Sequence, residues 1–327
     1  MHTPACLCTR IRSVRSMIEK MHDELMEIQG EDGLRRRGVV TLPDDPLRSR
    51  VGMLLLPAGL KYRVGPHLFY VKLARALARK GYTILRYDPL GIGESDGCLE
   101  PGPTKSIWQT VEQGRYVSDC LMAIDYMHRQ LGLERVVAGG ICGGAVTAVL
   151  AAHHSRQELT GVCSINIAVS QSIPVVVAKA MMGRARTDHY FNAYMKKLAS
   201  PAAWQRLLRL ESDLNAIGRT VIAKASRPFL KKVSERIQED PRYNHAVVAA
   251  VDYLRKEKFS HLLLFSGNDN RWLEFEDLVI DACYHGQFAN EFSRVVVIEN
   301  ANHELQLAVW QEQAIDTIGK WMAEIAA

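Results

Sequence analysis

This 327-residue sequence has no internal repeat, no low-complexity tract and no Gly/Ser-rich linker, which excludes a repeat array or a string of tethered modules. It also lacks an apolar stretch behind Arg10, Arg12 and Arg15, so neither a secretory signal nor a membrane span is expected. Its seven cysteines are odd in number and irregularly spaced from Cys6 to Cys283, unlike the disulfide framework of a secreted domain. Cys6 and Cys8 have no second ligand pair to complete a zinc site, and no motif for a metal or a cofactor is expected elsewhere. The net charge of +5 comes without Lys/Arg blocks interleaved with aromatics, so no nucleic-acid partner is expected. A reducing, cytoplasmic setting is the expectation that remains.

What is present is an ordinary globular composition, 47% hydrophobic and 24% charged, with enough chain for one large α/β core and an insertion. LMEIQG, the turn EDG and LRRRGVVTL read as a β-hairpin. VGMLLL at 51–56 is a continuous apolar run, the mark of a strand buried on both faces. A helix from Pro66, with Leu68, Val71, Ala74, Leu77 and Ala78 on one face, leads to the strand YTILRY, which makes a βαβ unit. A long helix is expected from about Ser106 to Gly132, then the strand ERVVAGG, a small-residue helix and a strand at 160–166. The stretch to Lys258 reads helical, after which HLLLFSG, RWLEFEDLVIDACYH, RVVVIEN and a C-terminal helix resume the alternation. The expected division is an extension at 1–22, core at 23–168, a helical cap at 169–258 and core again at 259–327.

A strand, a sharp turn and a helix around G-x-nucleophile-x-G form an elbow that exposes one side chain above a sheet. Two stretches have that spacing. Gly93-Glu94-Ser95-Asp96-Gly97 lies in a Gly/Pro-rich loop with no helix directly behind it, and Ser95 reads as a structural loop residue. Gly140-Ile141-Cys142-Gly143-Gly144 follows the strand directly and runs into AVTAVLAA, so Cys142 is the candidate nucleophile. Cys120, Cys163 and Cys283 read as ordinary buried thiols. A helix N-terminus and an imidazole both favour the thiolate, so a lowered pKa is expected at Cys142.

An acid and then a histidine should follow the nucleophile along the chain. HLLLFSG ends in Asn268-Asp269 and RVVVIEN ends in Ala301-Asn302-His303, both at the C-terminal edge of expected strands, where open α/β sheets hold their sites. His303 is the candidate base and Asp269 its orienting acid, with Glu274 or Asp277 as alternatives for the latter. Backbone N–H groups of Gly143 and of the turn Ala58-Gly59-Leu60, Leu60 in particular, are the candidate oxyanion donors.

These residues carry a resemblance. DPLGIGESDG resembles the D-x-x-G-x-G-x-S loop of the α/β-hydrolase superfamily, and with the elbow, Asp269 and His303 the likeness spans residue 50 to the C-terminus. It implies an α/β-hydrolase fold, a mostly parallel central sheet flanked by helices with an inserted helical cap. RVGP at 63–66, LARALARKGY and the cysteine elbow are similar to the exosortase-system-associated hydrolases, related to the serine aminopeptidase-like branch. Polyhydroxyalkanoate synthases and dienelactone hydrolases also carry a cysteine elbow, but the acid and histidine loops differ from those of the synthases, and dienelactone hydrolases are shorter.

The expected function is hydrolysis of an ester or thioester through an acyl-cysteine. Two alternatives stand beside it: acyl transfer to an alcohol, amine or thiol, and a non-catalytic ligand-binding protein on the same fold. The segment 171–258 is net positive and the rest of the chain net negative. Such a segment reads first as a plain solvated basic face, and as a cap it suits a small-molecule acyl substrate carrying negative charge, such as acyl-CoA, or an acyl carrier protein.

Overall fold

The computed structural model describes residues 21–45, 49–170 and 243–327. Residues 1–20 of the expected extension and 171–242 of the expected cap lie outside the described residues. Strands β1 (Met21–Gln29) and β2 (Arg35–Pro43) pair antiparallel about a turn in which Gly33 adopts φ 75° and Asp32 accepts from Leu34 N–H at 3.0 Å. Burial alternates along β2, which therefore turns one face to the core. By contrast β3 (Val51–Leu56), β4 (Thr83–Asp88) and β6 (Gly161–Ile165) are buried at every position. In β5 (Arg135–Ile141) and β7 (Ser260–Ser266) all but the first residue are buried, and β8 (Ser293–Ile298) is a half-exposed edge. The eight strands form one sheet in the order β1-β2-β4-β3-β5-β6-β7-β8, antiparallel at β1/β2 and β2/β4 and parallel elsewhere.

Parallel neighbours require crossovers, and helices supply them on both faces. Helices α1 (Phe69–Ala78), α2 (Thr104–Glu112), α3 (Val117–Arg129) and α4 (Gly143–His154) precede the undescribed segment. After it come α5 (His245–Lys256), α6 (Asn270–Phe275), which continues through a wider turn to Tyr284, and α7 (Ala308–Ala326). Alternate residues of β3 feed opposite cores. Met53 and Leu55 join Phe69 and Leu73 of α1 and Ile318 and Met322 of α7. Leu54 and Leu56 join Ile124 of α3, Val146 and Val149 of α4, and Val247 and Val251 of α5. Each of these fully buried aliphatic side chains contributes about 1.5–3 kcal/mol, so the two faces clamp the sheet that carries the site.

Three elements differ from the sequence pattern. The helix expected from Ser106 is broken between α2 and α3, where Gly114 takes φ 91° and turns the chain. The helix expected from Pro66 begins at Phe69, because His67 and Leu68 adopt left-handed φ of 50° and 60°. Its buried stripe is consequently Phe69, Tyr70, Leu73, Ala74, Leu77 and Ala78, and Leu68 is exposed. At the far end of the stretch expected to be a cap, α5 packs Val247, Val251 and Leu254 into the core beside α4, and the Asn244 side chain caps its first turn by accepting from Val247 N–H at 3.3 Å. No helix among the described residues is long and apolar enough to cross a membrane.

Candidate active site

β5 ends at Ile141 and α4 begins at Gly143, which leaves Cys142 alone to turn the chain, at φ 54° and ψ −111°. A non-glycine residue in that region carries roughly 1–3 kcal/mol of strain and persists only where its surroundings hold it. They do: Cys142 N–H donates to Ile165 O at 2.8 Å, and Val146 N–H donates to Cys142 O at 3.1 Å. The flanking glycines are required for closeness. A Cβ on Gly140 would lie 2.7 Å from Leu56 O, and one on Gly144 would lie 2.5 Å from that same oxygen and 2.7 Å from Pro57 O.

The second candidate elbow is built differently. Ser95 Oγ donates to Asp88 O at 2.5 Å and accepts from Arg37 N–H at 2.8 Å, so its hydroxyl is committed to tying the loop after β4 to β2. The fully buried Asp88 carboxylate accepts from Arg63 N–H at 2.7 Å and pairs with the Arg63 guanidinium, which also pairs with Glu94. The RVGP stretch and the D-x-x-G-x-G-x-S loop are thus one charge-locked unit, and it anchors the far end of the turn holding Leu60.

The structure brings Cys142, His303 and Asp269 together. His303 follows β8 and its Nδ1 donates to Asp269 Oδ2 at 2.5 Å, while Asp269 follows β7 and is buried. The other Asp269 oxygen accepts from Arg271 N–H at 3.2 Å, which fixes the carboxylate at the start of α6. Glu274 is engaged instead with Arg271 and Ser170, at 3.0 and 2.7 Å. Gly143 lies against the turn after β3, for a Cβ on it would meet Gly59 Cα at 3.0 Å. In that turn Gly59 N–H bonds to Pro57 O and Lys61 N–H to Ala58 O, so the Leu60 N–H falls between the turn's own bonds. α2 roofs this region: Val111 touches Gly143, and Trp108 covers Gly59.

Sequence reasoning missed two residues here. Asn166, at the end of β6, adopts φ 48° and spends its side chain on three bonds: it accepts from Ser266 N–H at 2.8 Å and donates to Ser266 Oγ and His303 O, both at 2.9 Å. It ties the histidine loop to β7. Beyond an Asn at the end of an apolar strand, nothing in the sequence marked it. Arg271 is the other, a largely buried guanidinium that donates to Ser170 Oγ at 2.9 Å and lies close enough to act electrostatically on the Cys142 thiol.

Burial raises the Cys142 pKa, but the hydrogen bond to His303, the charges of Arg271 and His303 and the Gly143 N–H outweigh it, and the thiol ends below its ordinary value. Burial likewise disfavours the His303 imidazolium, yet Asp269 on one side and Cys142 on the other push its pKa up to about 10. Both shifts act in the direction of a thiolate beside an imidazolium. A cleft of about 380 Å³ lined by Arg50, Lys80, Glu134 and Arg135 lies at the opposite edge of the sheet, and its lining holds neither cysteine nor histidine.

A cysteine-bearing strand-to-helix elbow above a mostly parallel eight-stranded sheet, with an acid and a histidine after later strands, defines a class: residues 53–308 match the α/β-hydrolase fold family, and the chain belongs to it. It is a hydrolase of the α/β-hydrolase fold. An esterase from Pyrococcus furiosus, Pf2001, is similar at 14% identity and TM-score 0.56, over 94% of either chain. Est1E from Butyrivibrio proteoclasticus, solved with ferulic acid bound, is 16% identical at TM-score 0.53, over 91% of this chain and 98% of that one. A dienelactone hydrolase from Anabaena variabilis is 13% identical at TM-score 0.55, over 94% of this chain and all of that one. At such identities the likeness is one of fold. No curated protein matches the sequence.

Proposed function

We propose that this protein cleaves an ester or thioester through an acyl-cysteine intermediate, with Cys142 as nucleophile, His303 as acid and base, Asp269 as the acid that orients and charges the imidazole, and Gly143 and Leu60 N–H as oxyanion donors. The supporting observation is the His303 ring, engaged by Asp269 on one side and by the Cys142 thiol on the other, in an elbow whose thiol is shifted toward the thiolate. The Cys142 thiolate attacks the carbonyl carbon, and the C–S bond forms as the carbonyl π pair moves to oxygen. When that pair returns, the bond to the alkoxide or thiolate leaving group breaks, and the leaving group takes the His303 proton. Neutral His303 then accepts a proton from water as the water attacks the acyl carbon. Collapse expels the Cys142 thiolate beside a recharged imidazolium and releases the carboxylic acid.

An alcohol, amine or thiol in place of that water makes the same site an acyltransferase. The basic segment 171–258 supports an anionic donor, acyl-CoA or an acyl carrier protein. Intact-mass measurement after incubation with acyl thioesters and p-nitrophenyl esters tests the reading. An acyl adduct is expected on wild type and absent from Cys142→Ala; an adduct that persists in the variant sinks it. Decay in water alone, against decay only with an added acceptor, separates hydrolysis from transfer.

A further inference from the structure

Tyr70 is fully buried in α1, on the underside of the sheet end that carries the site, and no step above uses it. Its hydroxyl donates to Leu56 O at 2.8 Å and accepts from Ile141 N–H at 2.7 Å. These two groups are the last of β3 and the last of β5, where Leu56 and Gly140 are the terminal pair of the ladder. The strands meet there through a phenol oxygen, and beyond it they diverge, β3 into the turn Pro57–Leu60 and β5 into Cys142 and Gly143. The ring is fixed from the other side as well. Tyr70 N–H donates to Val64 O at 3.2 Å, and a Cβ on Gly65 would stand 2.7 Å from Tyr70 Cγ, so the far end of the turn rests on the ring face.

The two proposed oxyanion donors come one from each diverging strand. They serve only if both lie about 2.7–3.1 Å from a single point, which makes the spacing of β3 and β5 at their ends the quantity that matters. Leu56 O is also the atom against which Gly140 and Gly144 close the elbow. We propose that Tyr70 is a positioning residue that sets the distance between the two halves of the oxyanion hole by stapling Leu56 O to Ile141 N–H. This rests on the acyl-cysteine reading given above. Burial holds the phenol pKa far above its ordinary value, so the hydroxyl keeps both its donor and its acceptor role at every working pH.

The test is Tyr70→Phe in the full chain, with p-nitrophenyl acetate as probe and Cys142 counted by iodoacetamide alkylation and intact mass. The p-nitrophenolate release rate per alkylatable Cys142 is expected to fall about 10-fold or more, with KM within about threefold of wild type and an unchanged pH profile of alkylation. A residue that merely supports the fold would lower the melting temperature and the count of alkylatable sites, and leave the rate per site intact. A rate per site within twofold of wild type therefore overturns the staple. Should Tyr70→Phe yield no folded protein, Gly65→Ala adds a methyl 2.7 Å from Tyr70 Cγ and strains a backbone held at φ 70°, displacing the ring while leaving both hydrogen-bond partners present; the same fall is expected, and an unchanged rate overturns the proposal. Cys142→Ala is assayed alongside. Full release by that variant overturns the acyl-cysteine reading and the staple with it, whereas full release by Tyr70→Phe and none by Cys142→Ala overturns the staple alone.

Discussion

Cys142, Cys163 and Cys120 are all buried, yet their thiols move in opposite directions. Burial pushes Cys163 up to about 12 and, with Asp119, pushes Cys120 up as well, whereas Cys142 falls because His303 and Arg271 act on it. The sign of the pH dependence follows. Alkylation of Cys142 by iodoacetamide should rise with pH through a midpoint below the ordinary thiol value of about 8.5, since only the thiolate reacts. Turnover of an alkyl thioester should decline again as pH rises through about 10, where His303 loses the proton that the leaving group takes. In Arg271→Gln the alkylation midpoint should move upward and the rate at pH 7 drop several-fold; an unmoved midpoint would exclude Arg271 as a counter-ion. Cys142, Asp269 and His303 could be picked out as candidates in the sequence because each follows an apolar run at a strand's C-terminal edge, and the structure brings the three together. Asn166 and Arg271 were not, since their roles come from bonds between β6, β7 and the loop after β8, segments far apart along the chain.

At the scale of elements, the elbow depends on three backbones passing within contact of one another. Gly144→Ala adds a methyl 2.5 Å from Leu56 O and 2.7 Å from Pro57 O, both backbone atoms, so α4 or the end of β3 has to shift. Overpacking of this kind costs about 1–3 kcal/mol, and a displacement approaching 1 Å at a reacting group can cost about 10²-fold in rate. Denaturant unfolding of Gly144→Ala should show a stability loss in that range, and its esterase rate should fall at least about 10-fold. Wild-type stability and rate would mean that the contact is not closed in solution. The same dependence on backbone conformation explains which elements the sequence pattern revealed. Buried strands such as VGMLLL were legible from hydrophobicity alone. The break between α2 and α3 was hidden, because one Gly114 at positive φ interrupts an apolar periodicity that otherwise continues on both sides. The stripe of α1 was shifted for a similar reason, with His67 and Leu68 left-handed where the pattern alone continues a helix through them.

For the whole molecule, the decisive feature is how the described residues on either side of 171–242 meet. Ser170 pairs antiparallel with Tyr243, and Asn244 N–H donates to Val169 O at 3.0 Å, so the residues that flank 171–242 stand side by side. On either side of that junction β6 is paired with β5 and β7, and α5 packs Val247, Val251 and Leu254 on the face beside α4. Closing a loop between adjacent ends costs little more for a short connection than for a long one, because loop entropy changes only slowly with length. Replacing 171–242 by a short Gly/Ser connection should therefore leave a core that unfolds in a single cooperative transition by circular dichroism. Cys142 should still react with iodoacetamide faster than the buried Cys120 and Cys163, because the groups that lower its pKa, His303, Arg271 and Gly143, all belong to the described core. A variant that fails to fold would show that residues 171–242 are integral to the core; one that folds but loses the reactive thiol would show that they are needed to bring Cys142 and His303 together.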